Sequence, residues 1–205
     1  DLGQLLERRI EAGPDSEEAL AALKFRLGRV SEQHLEDSVR SVELYREVLS
    51  LLPEHDGARE ALEQLLDDEQ AAAEASRVLE PVYELIGDWQ RYVHALRVQH
   101  RYATEPQSRL KLLTRVADTQ LDQLEDKERG FAALSEAFRE LPSDDPTLQR
   151  LEILASQYDR FDALAVLTSD LAASTDDVTL SRHLWIKTAQ VYDTQLLDTE
   201  AAVSA

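Results

Sequence analysis

Residues 115–145 read RVADTQLDQLEDKERGFAALSEAFRELPSDD, and residues 29–56 read RVSEQHLEDSVRSVELYREVLSLLPEHD. Both begin with a short string ending in Leu, pass an acidic turn at Asp126 or Asp37, and follow an apolar stripe to Leu-Pro and further acids. The opening string returns a third time as QVYDTQL at 190–196. Self-similarity on this scale marks an array of supersecondary units, each burying its apolar face against a neighbour. Two spacings compete. Leu35–Leu62 recurs at Leu124–Leu151, a step of 89 residues, whereas RVLEPVYELIGDW at 77–89 recurs as QRLEILASQYDRF at 149–161, a step of 72. The surplus of 17 is about one helix with its turn, and it is expected within 57–73.

Composition narrows the class. Hydrophobic residues make up 43% of the 205, enough for a buried core, while aromatics are only 6% and Leu and Ala dominate. That balance suits helix-on-helix packing and suits sheets poorly. The 41 acidic residues against 22 basic ones give a net charge of −19, which repels phosphate backbones and anionic membrane surfaces. Nucleic acid and membrane insertion are therefore not expected. The absence of Cys excludes disulfides and a thiolate nucleophile. No apolar run approaches the ~20 residues that span a bilayer, and no signal peptide is visible, so a cytoplasmic setting is favoured without being fixed. A chain starting at Asp1 with no Met is expected to be a fragment of a longer protein.

Apolar residues at helical spacing predict about eleven helices and no strand. Gly13-Pro14 should stop the first helix. Asp15 with Glu18 resembles a capping box for the second, and Asp37, Asp56, Asp126 and Asp145 are expected as further caps. Pro81 should kink its helix or begin a new one. Trp89 and Trp185 lie on apolar stripes and are expected in the core.

A step of 72 is twice 36, close to the tetratricopeptide period of about 34 residues. That family places small residues in helix A and early in helix B, then a large apolar residue, Ala and Pro along helix B. Ala117, Gly130, Leu134, Ala137 and Pro142 fall in this order, as do Ser31, Ser41, Tyr45, Val48 and Pro53. The chain thus resembles a degenerate tetratricopeptide-like repeat protein and, beyond that, long bacterial repeat proteins. It departs from the family in lacking a helix-A Trp and in having Gln120 where Tyr is preferred. The resemblance implies an all-α, right-handed α-solenoid of antiparallel helical hairpins. It is expected as one domain over 1–205, with repeat segments near 1–87, 88–158 and 159–205.

No catalytic signature appears: no phosphate-cradling glycine loop, no nucleophile elbow, no H-E-x-x-H. His94 and His100 are six apart and point apart on a helix, while His34 and His55 sit at helix junctions where capping is the commoner role. No metal or cofactor is expected. Acidic pairs such as Asp67-Asp68, Asp144-Asp145 and Asp176-Asp177 read as caps and turns. One pattern points to binding. Two residues after Val30, Val116 and Val191 stand Glu32, Asp118 and Asp193, a carboxylate at what looks like one position of three equivalent helices.

In the tetratricopeptide family that helix lines the concave groove, so the resemblance implies a groove over helices 16–33, 105–122 and 177–197. It would hold a basic or neutral peptide through Glu32, Asp118, Asp122 and Asp193, with Lys111 and Thr114 as polar contacts. The expected function is a non-enzymatic protein–protein interaction scaffold. The competing readings are a structural spacer that associates end to end, and an all-helical enzyme whose site borrows residues from outside the chain.

Overall fold

The computed structural model describes residues 2–204, and among them twelve α-helices and no strand occur. The chain divides into two compact units, Asp1–Tyr102 and Ala103–Ala205. The first holds α1 (Leu2–Glu11), α2 (Glu17–His34), α3 (Ser38–Leu51), α4 (Asp56–Gln64), α5 (Ala72–Ile86) and α6 (Trp89–Tyr102). The second holds α7 (Pro106–Asp122), α8 (Lys127–Glu140), α9 (Asp145–Tyr158), α10 (Phe161–Ser174), α11 (Val178–Val191) and the short α12 (Thr199–Ser204).

Helices pack in sequence-adjacent pairs. In the first unit α2 lies along α3 and α5 along α6, with α4 touching α3 and α5 more lightly. In the second, α7 lies along α8 and α10 along α11, with α9 in the lighter position. The step of 89 therefore governs the packing. It carries Ser38–Leu51 onto Lys127–Glu140 and Trp89–Tyr102 onto Val178–Val191, residue for residue. It also carries the starts of α2, α4 and α5 onto those of α7, α9 and α10. The step of 72 survives as a likeness of two helix ends. Gly87 and Asp159 both take the left-handed conformation, and the next N–H, of Asp88 or Arg160, closes on the carbonyl five residues back.

The surplus helix expected within 57–73 is absent, because α4 and α5 start 89 residues before α9 and α10; that stretch differs from its counterpart in conformation, not in length. After Gln64 the chain makes a 3₁₀ turn, Leu65–Asp67, that packs on α5 and turns Leu65 and Leu66 inward. The corresponding stretch of the second unit stays helical to Tyr158.

The acidic turns at Asp37 and Asp126 act as expected, and a third junction at Asp198 repeats them. Glu36, Glu125 and Leu197 are left-handed. The following Asp37, Asp126 and Asp198 each accept a backbone N–H three residues on, from Arg40, Arg129 and Ala201. Their own N–H groups close on the carbonyls of Ser31, Gln120 and Tyr192, six residues back.

Other caps shift by a residue. Ser16, not Asp15, caps α2 by accepting from Ala19, and with the backbone N–H of Glu18 it lowers the Glu18 carboxyl below its ordinary range. His55, not Asp56, caps α4 through Nδ1, and Asp144, not Asp145, caps α9. Pro81 does not begin a new helix: α5 runs on through it. Pro81 and Arg77, whose carbonyl it frees, are both exposed to water that can take the lost bond. The two tryptophans, expected in the core, are half-buried.

The pairs α2–α3 and α7–α8 are closed by different sets of side chains at the same four positions. In the first, the Tyr45 ring stands 2.6 Å from where a Cβ on Gly28 would be. Its hydroxyl donates to Glu32 at 2.7 Å, and Ser41 donates to the Gly28 carbonyl at 3.2 Å. Burial, then the Glu32 carboxylate, push the Tyr45 phenol well above its ordinary range. In the second unit the same places hold Leu134, Ala117, Leu121 and Gly130. The Leu121 side chain now lies against the bare backbone of Gly130. Both solutions let two helices approach closely, one with a tyrosine–carboxylate bond and one with apolar contact alone.

Candidate binding groove

The apolar stripe of α9 is Leu148, Leu151, Leu154 and Ala155, all buried at helical spacing. The opposite face of α9 carries Gln149, Glu152, Ile153 and Ser156, and these line a groove of about 560 Å³. Phe161, at the start of α10, and Lys187, Gln190 and Val191 of α11 complete most of its wall. The helix of α11 then widens into a π-helical segment, Tyr192–Leu196, in which the Thr194 hydroxyl donates to the Gln190 carbonyl at 2.7 Å. Such local widening of an α-helix recurs at functional sites. Here it presents Thr194 and Gln195 to the groove.

Charge in the groove is balanced. Its only charged lining residues are Glu152 and Lys187, and they pair at 2.9 Å between α9 and α11. The side-chain amides of Gln149 and Gln190 are exposed and make no hydrogen bond to other described residues. Ile153 is 56% exposed, and Phe161 is half-buried.

The first unit shows what this face is without the groove chemistry. Its residues at the places of Gln149, Ile153 and Ser156 are Glu60, Gln64 and Asp67, and at the places of Lys187 and Gln190 they are Val98 and Arg101. Glu63, the counterpart of Glu152, accepts from the Tyr83 hydroxyl at 2.8 Å and so ties α4 to α5. Burial, then Glu63, push the Tyr83 phenol above its ordinary range. The second unit has Ala172 where Tyr83 stands, which leaves Glu152 for Lys187. Ala72, at the place of Phe161, is fully buried.

The six residues singled out from sequence lie elsewhere. Glu32 belongs to the first unit and is engaged by Tyr45 and, at 3.7 Å, by Arg29. Asp118 accepts from Arg150, an ion pair that joins α7 to α9. Lys111 and Asp122 are exposed on α7, Thr114 is half-buried, and Asp193 is exposed on the π segment. None of the six lines the groove.

The shared carboxylate position does not hold in the packing register. The step of 89 sets Glu32 against Leu121, and Asp118 against Arg29. The similar strings at 29–35 and 115–121 are offset by 86 residues, three short of the structural step. A slip of three is nearly one helical turn, so the apolar pattern matches in either alignment. The groove residues were reachable from sequence only through the longer step, by asking where an exposed apolar or neutral residue replaces a charged one.

His55 caps α4 and its ring lies against Phe25, with centroids 4.8 Å apart, while His183 stands 3.9 Å from Asp145. No helix among the described residues is long and apolar enough to cross a membrane. No protein-family model matches this chain, and no curated protein sequence matches it.

Proposed function

We propose that the protein is a non-enzymatic protein–protein interaction scaffold. It is built as a right-handed α-solenoid of antiparallel, tetratricopeptide-like hairpins, and the groove beside α9 receives a peptide segment of a partner. The observation that carries this reading is the divergence of two equivalent faces. Where the first unit shows Glu60, Gln64 and Asp67, the second shows Gln149, Ile153 and Ser156 around an open groove. Ile153, 56% exposed, thus adds apolar surface to the groove at a place where the first unit offers an amide. The net charge of −19 and exposed carboxylates such as Asp122 and Asp193 steer basic surfaces of a partner toward the protein. Affinity capture from native lysate at low and moderate salt tests the reading. A stoichiometric protein partner, recovered more slowly as salt screens the approach, supports it. An empty column from well-folded protein contradicts it.

A second reading is favoured by a separate observation. Leu2 and Leu5 on α1, and Val178 and Ile186 on α11, are large apolar residues exposed near the two ends of the chain. They suit a spacer or self-assembling arm whose end helices pack against further copies. Sedimentation across a concentration series separates the two readings: growing oligomers support the arm, and a strict monomer contradicts it.

A further inference from the structure

We infer that the groove beside α9 binds an extended, uncharged peptide segment carrying one large apolar side chain, a selection opposite to the one the acidic surface of the chain suggests. The inference rests on the scaffold reading and names the partner of that same groove. Ile153, Phe161 and Val191 give it an apolar floor. Around them stand Gln149, Gln190 and Gln195, each able both to donate and to accept a hydrogen bond, which is what an extended backbone with alternating N–H and C=O groups requires.

Charge selects against ionised ligands. Glu152 and Lys187 neutralise each other at 2.9 Å, so a basic or acidic side chain entering the groove must break that pair or remain unpaired beside it. The duplicate unit points the same way: Glu60 and Asp67 stand at the places of Gln149 and Ser156, and Arg101 at that of Gln190, while the one charge gained, Lys187 for Val98, is the one paired with Glu152. A volume of about 560 Å³ accommodates one large side chain with its flanking backbone.

The test uses an array of short peptides matched in apolar content and differing in net charge, as neutral, basic and acidic sets, probed with the labelled 205-residue chain. The neutral set is expected to be retained best, with little change between low and moderate salt. Ile153→Gln combined with Gln190→Arg writes the first unit's residues into the groove. It should lower retention of the neutral set about tenfold or more, because the groove loses the apolar surface of Ile153 and gains a charge at position 190. Both positions are exposed, so the helical circular dichroism should be unchanged, and Lys187→Ala provides a second variant that should relax the exclusion of basic peptides, because it leaves the Glu152 carboxylate unpaired. Best retention of the basic set would overturn the inference, as would retention indifferent to the double substitution. Retention of no set would overturn it too, while leaving the lysate capture free to succeed through another surface. A dimer in light scattering that the double substitution dissolves would assign the groove to a second copy instead.

Discussion

The stretch after α3 and the stretch after α8 begin alike and end differently. Both pass through Leu-Pro to a capped helix, with His55 starting α4 and Asp144 starting α9. The first then abandons the helix after nine residues, turns Leu65 and Leu66 into the core, and holds α4 to α5 through Tyr83 and Glu63. The second stays helical for fourteen residues, lacks the tyrosine, and leaves its outer face around Ile153 open. The same packing plan therefore supports a closed, self-satisfied version and an open one. The pairs α2–α3 and α7–α8 repeat the lesson, with a polar closure at Tyr45–Glu32 in one unit and an apolar closure at Leu121–Gly130 in the other.

The largest perturbation should treat the two units alike. Leu62 and Leu151 occupy equivalent positions and are both fully buried. Leu62→Ala and Leu151→Ala are each expected to cost about 2–5 kcal/mol. Residue-resolved hydrogen exchange should show the loss concentrated in the unit that carries the substitution, and an equal loss in both would contradict the division into two packed units.

Next come the glycines, which should break the symmetry. Gly28→Ala drives a methyl into the Tyr45 ring and Gly130→Ala drives one into Leu121, each costing about 1–3 kcal/mol by overpacking. Adding Leu121→Ala should recover much of the second loss, whereas adding Tyr45→Phe should recover little of the first, because the ring itself is the obstacle. Chemical denaturation of the four variants decides this.

A smaller effect separates the units by pH. Tyr45 and Tyr83 hold their protons more tightly folded than unfolded, so the stability they contribute is complete below the unfolded phenol pKa of about 10 and declines as pH rises above it. Their counterparts, Leu134 and Ala172, do not titrate. The first unit should therefore lose exchange protection in alkali before the second, and Tyr83→Phe, at a cost of about 1–2 kcal/mol near neutrality, should flatten that decline.

The smallest effect concerns Arg109 and Glu140, a bidentate pair at 2.6 Å joining α7 to α8 where the first unit has Leu20 and Leu51. Hydrogen bonding to Glu140 raises the Arg109 pKa and keeps the guanidinium charged. The pair is partly exposed, so Arg109→Leu should cost no more than about 1 kcal/mol and less in high salt.

The all-helical class and the junction caps at Asp37 and Asp126 were legible in the sequence because apolar spacing and capping chemistry are local. Where several capping residues stand in a row, as at Asp15-Ser16 or Asp144-Asp145, only the backbone geometry decides which oxygen meets the N–H three residues on. An imidazole cap at His55 is recognisable as a junction residue but not as the acceptor. In sequence Pro81 suggests a kink or a helix start from the bond it removes, and the exposure that lets α5 continue through it is a tertiary property. The supposed shared carboxylate came from a match slipped by nearly one helical turn, which apolar periodicity alone cannot reject. The groove depends on which face of α9 the packing leaves open, so Ile153 looks in sequence like one more stripe residue.

The most direct test of the contrast between a closed and an open copy is a hydrogen-exchange footprint of the full chain with the best-retained neutral peptide. New protection is expected in α9 around Ile153 and in the α11–π segment around Gln190, with the equivalent stretches around Gln64 and Arg101 unchanged. Protection appearing equally in both copies, or around Gln64 and Arg101 alone, would contradict the account.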